Sequence, residues 1–269
     1  MSDTILSVLI PCYNSGKYLP DALKSISQYS DESFYEIIIV NDGSTDSATI
    51  SILNTLQQQG YNVINQENKG PAAARNTAAN YAKGKYLLLL DSDNIVCLNY
   101  ITKGVKILDE MPDVSIVHGR PFFFGELSDA RTFETGKFDI TKMLIHNYID
   151  TCTIIRKSAW DQLSGQDEDK RIIGHEDWEF WLRAGNAKHN FYFLDEICFD
   201  YRISSNSLVT NYVQNENWQK SIQYIYTKYQ QLLFEQYKLL YVEKLIYEQD
   251  KQRPFRSFLK FFFNKYFKK

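Results

Sequence analysis

The sequence has neither a large excess of one charge nor closely spaced cysteines, and each absence excludes a class of protein. Its 269 residues include 30 Lys and Arg against 33 Asp and Glu, a net charge of -3, so the overall charge gives no reason to expect a nucleic-acid partner. The widely separated cysteines form no Cys-x-x-Cys pair, and they are Cys12, Cys97, Cys152 and Cys198. This spacing indicates neither a zinc site nor a disulfide framework, and we expect a reducing, cytoplasmic setting.

The sequence also lacks a long apolar run and a glycine-rich phosphate loop. Its first segment, MSDTILSVLIPCYN, has an apolar stretch too short for a signal peptide or a membrane span, and it is typical of a buried strand. A dinucleotide-binding oxidoreductase would carry Gly-x-Gly-x-x-Gly after that strand. A sugar nucleotidylyltransferase would carry a glycine-rich stretch with a basic residue. SVLIPCYN has neither feature, which disfavours both enzyme classes.

The residues up to about Phe124 alternate short apolar runs with helical stretches, and this pattern predicts βαβ units around a parallel sheet. The predicted strands are ILSVLIP, EIIIVND, NVINQ, YLLLLDSD and VSIVHGRPFFF. The predicted helices are YLPDALKSISQ, STDSATISILNTLQQ, PAAARNTAANYA and Leu98 to Glu110. Uninterrupted apolar runs such as IIIV and LLLL are expected where helices cover both faces of the sheet.

The second half of the chain has a weaker pattern. From about Gly125 to Ile149 no period is clear, and we expect an irregular loop or lid. TCTIIRKSAWDQL then predicts a strand that leads into a helix, HEDWEFWLRAG a short helix, and NFYFLDEICFDYR an extended segment. From Asn211 onward the sequence is rich in tyrosine and has a helical pattern, which predicts a C-terminal helical extension.

Two aspartates, Asp91 and Asp93, come directly after the apolar run LLLL, with Ser92 between them. Ligands of an open parallel sheet bind at the carboxyl ends of its strands, where these residues are expected to lie. Two carboxylates fixed at the edge of a low-dielectric core repel each other unless a cation lies with them. Mg²⁺ or Mn²⁺ prefers oxygen ligands and leaves positions for substrate phosphates. The sequence therefore predicts a divalent metal site, with an ordinary surface turn as the alternative.

Arg75 and the acids of HEDWEFW are further candidates. Arg75 follows three alanines near the start of a predicted helix, a place that favours an anion such as phosphate. Glu176, Asp177 and Glu179 begin another predicted helix, where acids favour the helix dipole, and that explanation suffices for Glu179. Beside a phosphate and metal site, Asp177 becomes a candidate general base.

Five segments, in this order and spacing, resemble the pattern of glycosyltransferase family 2 over roughly Ser7 to Arg202. They are SVLIPCYN, VNDGSTD, NKGPAAARN, LLLLDSD and HEDWEFWLR. The resemblance implies a GT-A fold, a Rossmann-like α/β domain whose mostly parallel central sheet is flanked by helices. That domain would be residues 1–210, with a nucleotide-sugar-binding half, 1–124, and an acceptor-binding half, 125–210. Residues 211–269 would be the C-terminal helical extension.

The same resemblance implies an inverting, metal-dependent enzyme that moves a sugar from a nucleotide-diphospho-sugar, with UDP expected, to an acceptor hydroxyl by single displacement. Asp177 matches the position of the catalytic base, and Asp91 and Asp93 match the carboxylates that bind Mn²⁺ or Mg²⁺. Residues implied to line the nucleotide site are Pro11, Tyr13, Asp42, Arg75, Asp91 and Ser92. Residues implied to contact donor or acceptor are Glu176, Trp178 and Arg202.

The chain departs from the family pattern at two positions. Gln166 follows Gly165 where the family commonly has an aromatic residue, and Ser204 stands where histidine is frequent. A catalytically inactive nucleotide-sugar-binding or scaffolding protein is the alternative to an enzyme. Such a protein is expected to lose the metal or base carboxylates, and this chain keeps them.

The segment 253–269 contains basic residues and no acid: Arg253, Arg256, Lys260, Lys265, Lys268 and Lys269. On a helix, Phe255, Phe258 and Phe262 share one face, which predicts a helix that lies on anionic lipid. A helix docked on the protein core is the alternative. With the family resemblance, the segment predicts a saccharide or lipid-linked saccharide acceptor used in surface polysaccharide or glycolipid synthesis. We expect a cytoplasmic protein that contacts the inner face of the membrane.

Overall fold

The computed structural model describes residues 4–29, 31, 33–126, 133–204, 217–252, 255 and 262. It divides the chain into two compact units, Met1–Ile225 and Tyr226–Lys269. The predicted domain boundary at residue 210 lies outside the described residues, so the division into 1–210 and 211–269 stays a prediction. The predicted lipid-facing helix, 253–269, also lies outside them apart from Phe255 and Phe262.

The first unit contains one mixed sheet. Its strands are β1 Leu6–Cys12, β2 Tyr35–Asp42, β3 Asn62–Gln66, β4 Tyr86–Leu89, β5 Ile95–Val96, β6 Val114–Gly125, β7 Ile154–Arg156 and β8 Asn190–Ile203. The helices of the chain's described part are α1 Leu19–Ser27, α2 Ser47–Gln58, α3 Pro71–Tyr81, α4 Leu98–Glu110, α5 Ile140–Met143, α6 Lys157–Gln162, α7 Glu176–Asn186, α8 Asn217–Lys228 and α9 Gln230–Gln252. Apart from β5, the elements up to β6 follow the sequence-based predictions closely.

The strand order is β3-β2-β1-β4-β7-β6-β8-β5. The pairs β2–β3, β1–β2, β1–β4 and β6–β8 are parallel, whereas β4–β7, β6–β7 and β5–β8 are antiparallel. The strands β3, β2, β1 and β4 thus form a parallel block. Next to β4, strand β7 continues the sheet and runs antiparallel to it. The short strand β5 was not predicted, because Ile95 and Val96 directly follow the aspartate turn and give no alternating pattern of their own.

Local sequence explains where the helices near the sheet edge begin. Asp46 caps α2, since its carboxylate accepts hydrogen bonds from the backbone N–H groups of Ala48 and Thr49. Pro71 is the first residue of α3, where the missing N–H of proline has no cost. Gly70 before it has φ 95°, a left-handed conformation that glycine adopts without strain.

The core lies beneath the parallel block. All four leucines of the run Leu87 to Leu90 have no exposed surface, as expected for a strand covered on both faces. All four cysteines are free. Within the described ranges, no helix combines the length and the apolar character needed to cross a membrane.

Candidate functional site

Hydrogen bonds tie together the loops that follow β1, β2 and β4 at the carboxyl edge of the parallel block. The Asn14 carboxamide oxygen accepts bonds from the backbone N–H groups of Thr45 and Asp46, at 2.8 and 3.0 Å. The hydroxyl groups of Ser15 and Ser92 are 2.7 Å apart. Ser92, a predicted nucleotide contact, is therefore buried as a link between two loops.

Pro11 and Tyr13 lie at the same edge. Pro11 is in β1, in register with Val40 of β2. Tyr13 follows the strand and is 48% exposed. An aromatic side chain that is half exposed at a ligand-binding edge can provide a flat apolar surface for a planar group.

Asp42 ends β2 and is held by three donors. Its carboxylate accepts hydrogen bonds from Gln66 Nε2 at 2.7 Å, Lys69 N at 2.9 Å and Gly70 N at 2.8 Å. Gln66 is itself oriented, because its Oε1 accepts a bond from the Thr77 hydroxyl at 2.7 Å. Asp42 is buried and fixes the loop that leads into α3. Its hydrogen-bond donors come from that loop and from β3, and they do not connect Asp42 to Asp91, Asp93 or Asp177.

Arg75, in α3, joins two other parts of the site. It is 4% exposed, and its guanidinium donates to Asp91 Oδ1 at 2.7 Å and to Glu176 Oε1 at 3.0 Å. A longer bond of 3.3 Å reaches Gln166 Oε1, so the residue that replaces the family's aromatic contributes a polar partner. Burial acts to lower the pKa of Arg75, but the charges of Asp91 and Glu176 hold it above its ordinary value. Arg75 is therefore a cation that the acids keep in place.

Three aspartates from three segments, Asp93, Asp150 and Asp177, have a raised pKa, because burial and neighbouring negative charges both disfavour their ionised forms. Burial and the charge of Asp91 raise the pKa of Asp93 to about 6. Burial and the charge of Asp91 also raise the pKa of Asp150 to about 7. Burial, Glu176 and Asp150 raise the pKa of Asp177 well above its ordinary value. The structure thus brings the predicted metal and base residues together with Asp150, which sequence reasoning missed.

Asp177, in the first turn of α7, has two hydrogen-bond donors. Its Oδ1 accepts from the backbone N–H of Trp178 at 2.7 Å, and its Oδ2 accepts from Asn147 Nδ2 at 3.0 Å. Trp178 itself is 2% exposed, and its indole N–H donates to the carbonyl of Met143 at 2.6 Å. Trp178 therefore anchors the segment before β7, and Asn147 is a second residue that sequence reasoning missed.

Arg202, near the end of β8, braces the aspartate turn. Its guanidinium lies over the rings of both Tyr18 and Phe124, at 4.6 and 4.5 Å from their centroids. Its Nε donates to the backbone carbonyl of Asp93 at 3.1 Å, and its Nη2 donates to Asp21 at 2.8 Å. The structure places Arg202 beside the turn that carries Asp93.

The acids fit a divalent cation by their chemistry. Asp91 and Asp93 supply oxygen ligands. Burial and then the charge of Asp91 raise the pKa of Asp93, and a bound cation would favour its ionised form. The described residues contain no group of three or more His, Cys, Asp or Glu side chains arranged to hold a metal ion. Mg²⁺ usually binds through one or two carboxylates together with substrate phosphates and water, so a pair of aspartates is compatible with such a site.

The sequence matches known proteins over most of its length. The family model described as "Glycosyl transferase family 2" matches residues 7–164. An uncharacterized glycosyltransferase of Methanocaldococcus jannaschii, MJ1057, is 25% identical over 83% of this chain and 78% of its own length. The minor teichoic acid biosynthesis protein GgaB of Bacillus subtilis is 28% identical over 79% of this chain, a match that spans 25% of GgaB.

Solved structures share the fold. The S. aureus TarS fragment 1–349, in complex with UDP, has a TM-score of 0.61 at 21% identity and covers 75% of this chain. A mannosyltransferase of Pyrobaculum calidifontis, in complex with GDP-Man and Mn²⁺, has a TM-score of 0.58 at 17% identity, also over 75% of this chain. This chain spans 61% of the TarS fragment and 58% of the mannosyltransferase. The predicted GT-A fold class is confirmed.

Proposed function

Because the chain belongs to glycosyltransferase family 2, we propose that it transfers a sugar, with inversion, from a nucleotide-diphospho-sugar to an acceptor hydroxyl. The observation that carries this proposal is a group of acids: the charges of Asp91 and Asp93 act on Asp150, and the charge of Asp150 acts on Asp177. UDP is the expected nucleotide. The TarS fragment was solved with UDP and with UDP-GlcNAc, whereas the mannosyltransferase was solved with GDP-Man, so the identity of the base is a matter for experiment.

The donor would lie along the carboxyl edge of the parallel block. Tyr13 offers a half-exposed ring for the base, with Pro11 beside it in β1. The fixed Asp42 carboxylate would face the base, and the link between Ser92 and Ser15 shapes the floor. Arg75 adds a positive charge at the start of α3, where the helix N-terminus also favours phosphate.

Asp91 and Asp93 would hold Mn²⁺ or Mg²⁺. The metal, when bound, acts as a Lewis acid that offsets the negative charge developing on the diphosphate. The residues of the chain prepare this position: Arg75 orients Asp91 at 2.7 Å, and Arg202 holds the backbone of Asp93 at 3.1 Å. Both arginines thereby fix the aspartate turn before any ligand enters.

Asp177 would act as the general base. In a single displacement, the acceptor oxygen forms a bond to the anomeric carbon while the bond to the diphosphate oxygen breaks. The proton of the acceptor hydroxyl passes to Asp177, and the nucleoside diphosphate leaves with the bonding electrons. General-base assistance of this kind contributes about 10²- to 10⁴-fold in rate. A carboxylate whose pKa is raised by burial is a stronger base than a free one, provided it is ionised at the working pH.

The acceptor is proposed to be a saccharide or a lipid-linked saccharide in surface polysaccharide or glycolipid synthesis. GgaB, by its name a teichoic acid biosynthesis protein, supports a surface polymer. The basic, aromatic sequence of 253–269 supports contact with anionic lipid at the cytoplasmic face of a membrane.

Sugar transfer by three proteins tests the proposal: the wild type, Asp93→Ala and Asp177→Asn. The assay measures UDP released from UDP-N-acetylglucosamine, with Mn²⁺ and a saccharide acceptor mixture, on samples shown to be folded by circular dichroism. We expect the rate of each variant to be at least about 100-fold lower than that of the wild type. Wild-type rates in both variants would overturn the assignment. Nucleotide binding without turnover in the wild type would support the inactive scaffold instead.

A further inference from the structure

The segment between α5 and β7 contacts the proposed base directly. We infer that Asn147 is a positioning residue that holds the Asp177 carboxylate in its reactive orientation. The contact joins Asn147 Nδ2 to Asp177 Oδ2 at 3.0 Å, across 30 residues of sequence. This inference rests on the proposed role of Asp177 as the base.

The orientation of the Asn147 side chain is set by its second hydrogen bond. Its Oδ1 accepts the backbone N–H of Ile149 at 3.2 Å, so the acceptor end of the carboxamide points into its own turn. The donor end must then point away from that turn, towards Asp177. An amide donor favours a carboxylate in its ionised form, which is the form that a general base needs.

Two indole groups fix the turn that carries Asn147 to the helix that carries Asp177. Trp178 Nε1 donates to the Met143 carbonyl at 2.6 Å, and Trp181 Nε1 donates to the Ile149 carbonyl at 3.0 Å. These bonds lie on either side of Asn147 in the sequence. Both tryptophans are buried, so α7 and the turn form one packed body. The distance between Asn147 and Asp177 is therefore held by more than a single bond.

The hydrogen bond from Asn147 restricts the rotation of the Asp177 carboxylate. Trp178 N binds Oδ1 at 2.7 Å and Asn147 binds Oδ2 at 3.0 Å, so the two donors define the plane of the group. Without Asn147 one oxygen loses its donor and the carboxylate can rotate. Asp177 is partly exposed, which leaves lone pairs available to a substrate hydroxyl.

The charged groups around Asp177 explain why a neutral donor is suited to this position. Glu176, from the same helix, and Asp150, from the segment before β7, disfavour its charge, whereas Arg75, from α3, favours it. Arg75 is already shared between Asp91 and Glu176. Asn147 supplies a donor without adding a further charge to this group of acids.

The test compares Asn147→Ala and Asn147→Asp with the wild type and with Ile145→Ala. Ile145 is 63% exposed in the same segment between α5 and β7 and serves as the matched control. Hydrolysis of UDP-N-acetylglucosamine with Mn²⁺ gives kcat and KM from pH 5 to 9, and calorimetry gives the Kd for UDP. Asn147→Asp has nearly the shape of asparagine, so it keeps the comparison valid if the alanine variant is poorly folded.

We expect kcat at pH 7 to fall about 10-fold in both Asn147 variants, with the Kd for UDP and the kcat of Ile145→Ala unchanged. The acidic limb of the pH–rate profile should move up by about one unit, and further in Asn147→Asp, because the ionised base is less stabilised. An unchanged kcat and pH profile, or an equal loss of UDP affinity and kcat, would overturn the inference. Asp177→Asn is measured alongside. If Asp177→Asn keeps the wild-type rate while the Asn147 variants lose activity, the assignment of Asp177 as the base is wrong, and that result is distinguishable from a failure of the Asn147 inference alone.

Discussion

Replacing Arg75 by methionine should destabilise the protein far more than removing an equally short ion pair on the surface. Arg75 is 4% exposed, and it contacts Asp91 at 2.7 Å and Glu176 at 3.0 Å. Lys85 and Asp109 are also 2.7 Å apart, but both are about half exposed. The Arg75–Asp91 and Lys85–Asp109 distances are therefore equal, and the two ion pairs differ in burial. Methionine keeps most of the aliphatic stem at either position and removes the charge.

The magnitude follows from what each deletion leaves behind. Removing one member of a buried ion pair costs about 3–5 kcal/mol, because the partner stays buried without compensation. Asp91 is 30% exposed and can be solvated in part, which places Arg75→Met near the lower value, about 3 kcal/mol. Lys85→Met should cost about 0–1 kcal/mol. For a unit of this size the Arg75 variant should melt about 6–12 °C lower than the wild type.

Urea denaturation followed by circular dichroism at pH 7 measures both variants against the wild type. Arg75→Lys provides a third comparison, since it keeps the charge but loses the fork that reaches two carboxylates, and it should fall between the other two. A loss within about 1 kcal/mol for Arg75→Met, equal to that of Lys85→Met, would refute the claim that this ion pair is buried and essential to the site.

Two further predictions concern the scaffold. Neither ring nitrogen of His118 has a hydrogen-bond partner among the described residues, and burial lowers its pKa from 6.5 to about 4. Lowering the pH from 7 to 5 should therefore lower the free energy of unfolding by about 2 kcal/mol, because the unfolded state binds a proton at His118 that the folded state does not. Urea titrations at both pH values should show that His118→Leu lacks this part of the loss. A Cβ at Gly84 would lie 2.6 Å from the backbone N of Ser7, so Gly84→Ala should cost about 1–3 kcal/mol. Gly104→Ala should cost less, because its contact is the mobile Cδ1 of Ile154, and equal losses in the two glycine variants would contradict this reasoning.

The parallel block could be predicted from the sequence because its signals are local. Apolar runs such as Leu87 to Leu90 are uninterrupted, and Pro71 marks the first residue of α3. The same locality places Asp91 and Asp93 at the edge, since each parallel strand ends on that side. The antiparallel pairing of β7 with β4 and β6 leaves no local trace, because it depends on how distant strands meet.

The residues that sequence reasoning missed act through long-range contacts. Asn147 lies in the segment 125–149, for which only an irregular loop or lid was predicted, and Asp150 directly follows that segment. Their relation to Asp177 depends on the packing of this part of the chain against α7. Asp150 did carry one signal, an acid between Ile149 and the buried Thr151 directly before a strand. Asn147 carried none, because a single asparagine in an irregular segment is typical of any turn.

The most direct test of the central claim is calorimetric titration of the wild type and Asp93→Ala with UDP, GDP, CDP and dTDP, each with and without Mn²⁺. The account predicts that UDP binds the wild type in the presence of Mn²⁺. It also predicts that its affinity falls at least about 10-fold when Mn²⁺ is withheld or Asp93 is replaced, because the metal and Asp93 act together on the diphosphate. UDP affinity that is independent of both Mn²⁺ and Asp93, or the absence of binding by every nucleotide, would contradict it.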